Sequence, residues 1–568
     1  MTSSRYLITG ILSLLLTVTS VSQTANWTEN WIRMASGNDI GIDYGISTNK
    51  QNEVVAITYY FDTVSLGDTA FYHDNWSGNW AISKMDPGGK IVKALDVFTG
   101  FDKKILELGC VIDQEHNVYV AGDLADPVYV ADSVLHTGFQ FNPGLTDIFI
   151  VKLDPDFKMV WSRIITGQGY DRLNSLCLAG NHLYFSTNHS TYNHYTAIID
   201  YFGQDTAKVP GVMTDLVKMD LDGNLEWVKK IRVVSNYFDL GKLKVRNSNH
   251  LMLYGSSTGD VSIDGQIIHH TIPTYTQCPL IIEVDTSGTV EYAGILPLKM
   301  GLSDAAFSVS GDLILAGYFA SMTIGNKTIT FPPGKTGAFI GRLDQNLEPK
   351  WYKIVEFYKD NTFFDNIFNL VDRADTVFFS INLPNLTLLD SAVIFAGGTR
   401  ECLLGSISPE GVLLHTYLTK STYDAAVTDL EMDNCGNLLL GGHFTGDFIF
   451  GNDTVSTPSF DKLYGYTAKI ERYAPPVIDL GNDTTLLTGE TLVLTLPGYF
   501  HHFLWSTGDT AETLQVTASQ LGIGTHKIWA EVAVDQCIAS DTILITVIPN
   551  PGISEEEARS KKIIPESN

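Results

Sequence analysis

Apolar and polar residues alternate along most of the chain in runs of five to eight, each bounded by Gly, Asn, Asp or Pro. Alternation with period two places every second side chain on one face, as in a half-buried strand, and the bounding residues supply the positive φ of tight turns. No stretch of helical period extends beyond a turn or two, so the chain is expected to be all-β. One phrase also returns. "TDLVKMDLDGNLEW", Thr214 to Trp227, is echoed by "TDIFIVKLDPDFKMVW" from Thr146 to Trp161 and by "TGAFIGRLDQNLEPKW" from Thr336 to Trp351. Each reads as an apolar strand, a tight turn and a second strand carrying an aromatic.

The cation before the turn marks the register. It falls at Lys84, Lys152, Lys218, Arg342 and Lys469, with Glu283 and Ser406 in the same slot of two further copies, and successive gaps run from 59 to 68 residues. Roughly midway between these turns lies a second marker, an apolar strand running into a small residue, as in "NVYVAGDLADPVYVADSVL", "HLMLYGSSTGDVSIDGQII" and "NLLLGGHFTGDFIFGNDTV". Four strands fit one period: a Trp strand, one like "SLCLAG", one like "NVYVAG" and one like "DIFIVKLD". Seven such copies predict a seven-bladed β-propeller, in which radial repetition buries both faces of each small sheet. The last copy runs from "YTAKIERY" into "APPV" without its Trp strand, whereas "NWTENWIRMASGNDIGIDYGIS" precedes the first copy and has no unit of its own. The strand around Trp31 is thus expected to complete the last blade and close the ring.

Composition narrows the setting. With 568 residues, 18% charged, 11% aromatic and 49 Gly, the chain suits short strands and tight turns and opposes disorder. A net charge of -27 repels phosphate backbones and anionic lipid, so nucleic acid is not an expected partner. The opening "MTSSRYLITGILSLLLTVTSVSQ" places Arg5 before an apolar run and small residues before Gln23, which reads as a signal peptide over residues 1–22. No later segment has the length of a transmembrane helix, and a secreted or cell-surface monomer is expected. The cysteines Cys110, Cys177, Cys278, Cys402, Cys435 and Cys537 are scattered, with no CxxC pair and no zinc spacing, and read as buried single thiols.

The propeller is assigned residues 23–473. Beyond "YAPPV" the texture changes to "VIDLGNDTTLLTGETLVLTLPGYFHHFLWSTGDTAETLQV", with Trp505 as a candidate core residue and frequent turns, which predicts a small β-sandwich over 477–549. Residues 550–568 read as a flexible tail. With both parts placed, "LLLGGHFTGDFIFGNDTV" and "TDIFIVKLDPDFKMVW" resemble the seven-bladed propeller repeat of bacterial secreted proteins. "LGNDTTLLTGETLVL…FLWSTGDTAETLQV…CIASDTI" is similar to the PKD-like and immunoglobulin-like modules that accompany type IX secretion. The resemblance implies export by that route and a tail that is the truncated start of a sorting domain. It also implies a Cys where this chain has Leu487 or Thr488, so Cys537 is left without an evident partner.

The chemistry is sparse. Nothing resembles a nucleophile elbow, a phosphate loop, a zincin helix or a dinucleotide fingerprint, and no catalytic, cofactor-binding or metal-binding residue is assigned. The turn Asp220 to Asn224 lacks the spacing of a calcium loop, and the neighbours His269 and His270, like His501 and His502, point to opposite faces of a strand. Trp161, Trp227 and Trp351 occupy equivalent positions and read as packing plates between sheets. The "DTA", "DSV" and "DSA" phrases at Asp68, Asp132, Asp205, Asp390 and Asp509 resemble Asp-Ser/Thr-aliphatic glycosylation sites and equally suit turn-to-strand entries. Acids fall mainly in outer turns, and only the insert "HSTYNHYTAIIDYFGQD", His189 to Asp205, gathers polar and aromatic groups. The expected function is a non-catalytic binding or adhesion scaffold for an extracellular glycan or protein. The alternative is an extracellular polysaccharide-degrading lyase or hydrolase on the propeller.

Overall fold

A computed structural model describes residues 28–73, 78–99, 108–124, 127–136, 146–167, 169–191, 197–202, 205–209, 212–233, 238–247, 249–272, 276–308, 310–332, 337–357, 368–373, 375–389, 392–450, 453–457, 462–471, 478–496, 502–534 and 537–550. The expected signal peptide, the "YAPPV" linker, Asp390, His501 and nearly all of the expected tail lie outside these residues. The chain divides into two compact units, Met1–Asp433 with Leu438–Arg472, and Asn434–Asn437 with Tyr473–Asn568.

The first unit is nearly all β and propeller-like, built from four-stranded antiparallel meanders. In one, Gly169–Ala179 pairs with His182–Thr191, then Val212–Asp220, then Leu225–Val233. The same order recurs in meanders whose first strands are Leu108–Ile112, Phe238–Asn247, Gly301–Phe307 and Phe368–Arg373. The strand Thr28–Thr48 serves two sheets. Its later part opens a meander with Val54–Leu66, while Thr28 to Ala35 pairs antiparallel with Tyr464–Glu471 as the fourth strand of the sheet that begins at Asp424–Met432. First strands pack against one another in sequence order, and Asp424–Met432 packs back against Thr28–Thr48. Cores form between consecutive sheets, such as Phe149 with Trp80 and Phe185 with Ile150.

Each period holds more than the four strands expected. The second marker proves to be a strand followed by a hairpin, which in several copies crosses to the outer strand of the preceding sheet. Val128–Val130 pairs with Ile91–Thr99, Ala197–Tyr201 with Met159–Gly167, and Val261–Ile263 with Leu225–Val233. The turn residues explain the hairpin: Asp264 and Gly265 both have positive φ, 49° and 86°, the backbone that matches strand twist in a two-residue turn. Asp68 and Asp132 sit in such turns, between Val54–Leu66 and Thr69–Tyr72 and between Val128–Val130 and Ser133–Leu135.

The recurring phrase is a lock between sheets. Trp161, Trp227 and Trp351 donate their indole Nε1–H to Leu221 O at 3.1 Å, Thr286 O at 3.2 Å and Pro409 O at 3.0 Å, each in the tight turn of the following sheet. Lys152 and Lys218 donate to the same two carbonyls, Leu221 O and Thr286 O. Where Glu283 replaces the cation, Arg246 on the first strand of its own sheet supplies one as an ion pair.

In the second unit, Thr484–Leu487, Cys537–Ile548, Gly524–Val534 and His502–Trp505 form one sheet and Thr491–Thr495 with Thr513–Thr517 another. They share a core around the fully buried Trp505. A single helical turn, Ala518–Leu521, follows Thr517, whose hydroxyl accepts from Gln520 N in a capping box. The expectation of single thiols fails in this unit, because Cys435 and Cys537 are bonded across 102 residues of sequence. The remaining four cysteines are free.

Candidate functional site

The first strands carry bulges, with register shifts at Leu173/Ser175, Leu240/Lys242, Leu302/Asp304 and Val427/Asp429. A bulge re-aims the side chain beside it, and here that side chain reaches the next first strand. Ser175 Oγ accepts from Leu243 N at 3.3 Å, Lys242 donates to Ser303 O at 2.7 Å, Asp304 Oδ2 accepts from Leu370 N at 2.6 Å and Asp429 Oδ2 from Ile46 N at 2.8 Å. Neighbouring first strands are therefore stitched by polar side chains.

Charge gathers on this inner face. Asp304 also accepts from Tyr254 Oη at 2.5 Å and pairs with Lys244 at 2.7 Å, while Lys244 donates onward to Leu370 O. Glu431 lies two residues beyond Asp429 on the same strand, so the two carboxyls share a face about 7 Å apart along the chain. The fields of Asp429 and Glu431 reach Cys110 and Cys177 respectively, and both reach Tyr254, so groups from several sheets converge. Lys244, Asp429 and Glu431 are half-buried. Burial pushes Asp429 up to about 6 despite the N–H of Ile46, and pushes Glu431 up to about 8 with the repulsion of Asp429 added. The two carboxyls therefore titrate as an interacting pair above the usual carboxylate range.

The insert singled out in the sequence does something else. His189 is fully buried, with Nδ1 at 2.7 Å from Asp171 Oδ1 and Nε2 at 3.3 Å from Asp215 Oδ2, and Tyr201 donates to Asp215. Burial works against the charged imidazole, but the bonds to Asp171 and Asp215 outweigh it and raise its pKa to about 9. Burial pulls Asp215 the other way, up from the usual carboxylate range. The charged imidazole is the better description, since both ring nitrogens face carboxylate oxygens. Tyr201 belongs to the crossing hairpin, so this network anchors that hairpin, and its groups are closed to solvent. His194 and its neighbours at 192–196 lie outside the described residues.

The other residues weighed in the sequence stay apart. His269 pairs with Asp260 at 3.0 Å and His270 Nδ1 donates to Ile272 O. Asp220 accepts from the backbone of Asp222 and Asn224, a hairpin turn. Among the described residues no group of three or more His, Cys, Asp or Glu is placed to hold a metal ion, and no helix is long and apolar enough to cross a membrane. Sequence reading missed Lys244, Asp304, Asp429 and Glu431. The available signal was a charged residue at the centre of first strands, in "GLSDAAF" and "VTDLEMD".

No protein-family model matches the chain, and no curated protein matches it in sequence. Among solved structures it is similar to a streptogramin B lyase, at 10% identity and TM-score 0.36, over 78% of this chain and 98% of that one. It is also similar to virginiamycin B lyase from Staphylococcus aureus, at 12% identity and TM-score 0.35, over 78% and 99%. A protein of unknown function from Bacteroides caccae matches at 12% identity and TM-score 0.20, over 48% and 90%. Two of the three are enzymes by name.

Proposed function

We propose that the chain is an exported seven-bladed propeller, closed by its N-terminal strand and followed by an Ig/PKD-like sandwich, whose inner strands hold an acid and base for proton-transfer chemistry. One observation carries the catalytic reading. Asp429 and Glu431 stand two residues apart on one face of Asp424–Met432, and burial raises the proton affinity of both above the usual carboxylate range. Such a pair suits elimination or hydrolysis, in which one carboxyl takes a proton and the other gives one. The pairing of Thr28 to Ala35 with Tyr464–Glu471 supports ring closure. The two-sheet core around Trp505 supports the sandwich. The substrate class we assign is an extracellular polysaccharide. The scaffold reading keeps one support: Asp304 and Asp429 each spend an oxygen on a neighbouring backbone N–H, a structural task.

The test is turnover of a polysaccharide panel by the purified chain, with Glu431→Gln and Asp429→Asn alongside. Activity that falls both above about pH 8 and below about pH 6, and that drops at least a hundredfold in E431Q, is the expected result. Saturable glycan binding with no product from any substrate would return the protein to the scaffold class.

A further inference from the structure

His443 and Thr445 stand two residues apart on Leu438–Thr445, in unbroken register with the neighbouring strand, so their side chains share one face of the sheet. Directly opposite them lie Ala426 and Asp424. Arg400 forks onto Asp424, with Nε and Nη2 each 2.9 Å from a carboxylate oxygen, and its Nη2 also lies 3.0 Å from His443 Nε2. A guanidinium can only donate, so His443 Nε2 must accept. The imidazole is then neutral and its one proton sits on Nδ1. Burial, followed by the charge of Arg400, lowers the His443 pKa to about 4 and gives the same protonation state independently.

Among the described residues that proton meets no acceptor. His443 is 7% exposed and Thr445 5%, and neither His443 Nδ1 nor Thr445 Oγ1 has a hydrogen-bond partner. Two buried polar groups, both able to donate, thus sit on the same face of one strand with no acceptor supplied. Leaving such groups unmatched costs roughly 1–3 kcal/mol each, and native proteins rarely tolerate it without an occupant. The charge balance narrows the occupant further. Arg400 is already neutralised by a two-point contact with Asp424, so an added anion would stand beside a carboxylate without a free counter-charge.

We propose that His443, Thr445 and the Arg400–Asp424 pair form a binding site for a neutral amide-type carbonyl, whose oxygen accepts from His443 Nδ1–H and the Thr445 hydroxyl. The site lies on the sheet that begins at Asp424–Met432, uses none of the inner-strand carboxyls apart from sharing their strand, and does not depend on the catalytic reading.

The experiment uses the full chain labelled with 15N-histidine, the His443 resonances being assigned by their loss in His443→Phe. N-methylacetamide is the probe and sodium acetate, at matched ionic strength, the comparison. The expected result is a saturable shift of the His443 Nδ1–H signal with N-methylacetamide that exceeds the acetate response at least fivefold. Thr445→Val should abolish it and Thr445→Ser should restore it, with circular dichroism showing that both variants fold. No saturable response, an equal response in T445V, or tighter binding of acetate would overturn the proposal. So would a crystal structure in the presence of N-methylacetamide that shows a buried water in that place.

Discussion

At the scale of single residues, the decisive features are buried charges whose protonation is set by their surroundings. His189 is the clearest. Its folded pKa, near 9, lies above the usual imidazole value, so the folded state binds the proton more tightly and the stabilisation is complete below about pH 6.5 and lost as pH rises through 9. A shift of that size corresponds to about 3 kcal/mol. Replacing His189 by Ala leaves Asp171 and Asp215 buried without their cation, and a loss of about 3–5 kcal/mol is expected. Denaturant unfolding of the wild type and the variant from pH 5 to pH 10 should show the gap closing at the alkaline end. A gap independent of pH would mean that the imidazole is not charged in the fold. Glu431 has the same sign at lower pH, because a raised carboxyl pKa also makes the folded state lose stability as pH rises from about 4.5 to 8, and E431Q should remove that slope.

At the scale of elements, the unit of construction is a strand, a turn and a Trp that seals the turn of the following sheet. Gly288 shows why the turn residue is constrained. Its φ is +85°, and a Cβ there would stand 3.2 Å from the Trp227 ring. Backbone strain and crowding together give an expected cost of about 2–3 kcal/mol for Gly288→Ala. Trp227→Ala should cost about 3–5 kcal/mol through lost packing. Calorimetry on both variants would check the lock. A midpoint unchanged in G288A would show that the turn yields freely to the ring. The crossing hairpins are a second device of this scale. They cap the ends of outer strands that would otherwise present unpaired backbone, and they account for a period longer than four strands require.

At the scale of the molecule, the strand Thr28–Thr48 is shared between two sheets, and the proposed ring closure rests on it. A chain that starts at Ser36 lacks the outer partner of Tyr464–Glu471, which keeps only Leu438–Thr445, and should unfold at a lower temperature, with faster exchange of the amides between Tyr466 and Ile470 that face the missing strand. Retained protection of those amides would sink ring closure through the N-terminal segment. Much of this architecture is legible in the sequence because it is local and repeated. Period-two alternation, Asp and Gly at turns, and Trp at a constant offset from a cation recur in copy after copy, and each copy reports on the others. The site was less legible. In one strand a charge facing a neighbouring first strand has the same alternation as a charge facing solvent, so "VTDLEMD" reads like any exposed edge.

The sequence by itself determined the all-β class, the repeat, the turn chemistry and the change of texture near residue 477, since these depend on neighbours along the chain. Only the tertiary structure decided the bond between Cys435 and Cys537, the burial of His189 between two carboxylates, the crossing of the hairpins, and the meeting of Lys244, Asp304, Asp429 and Glu431. The physical reason is common to all of them. Partners far apart in sequence are chosen by which strands lie side by side after folding, and a pKa is set by the burial and the charges which that arrangement brings close.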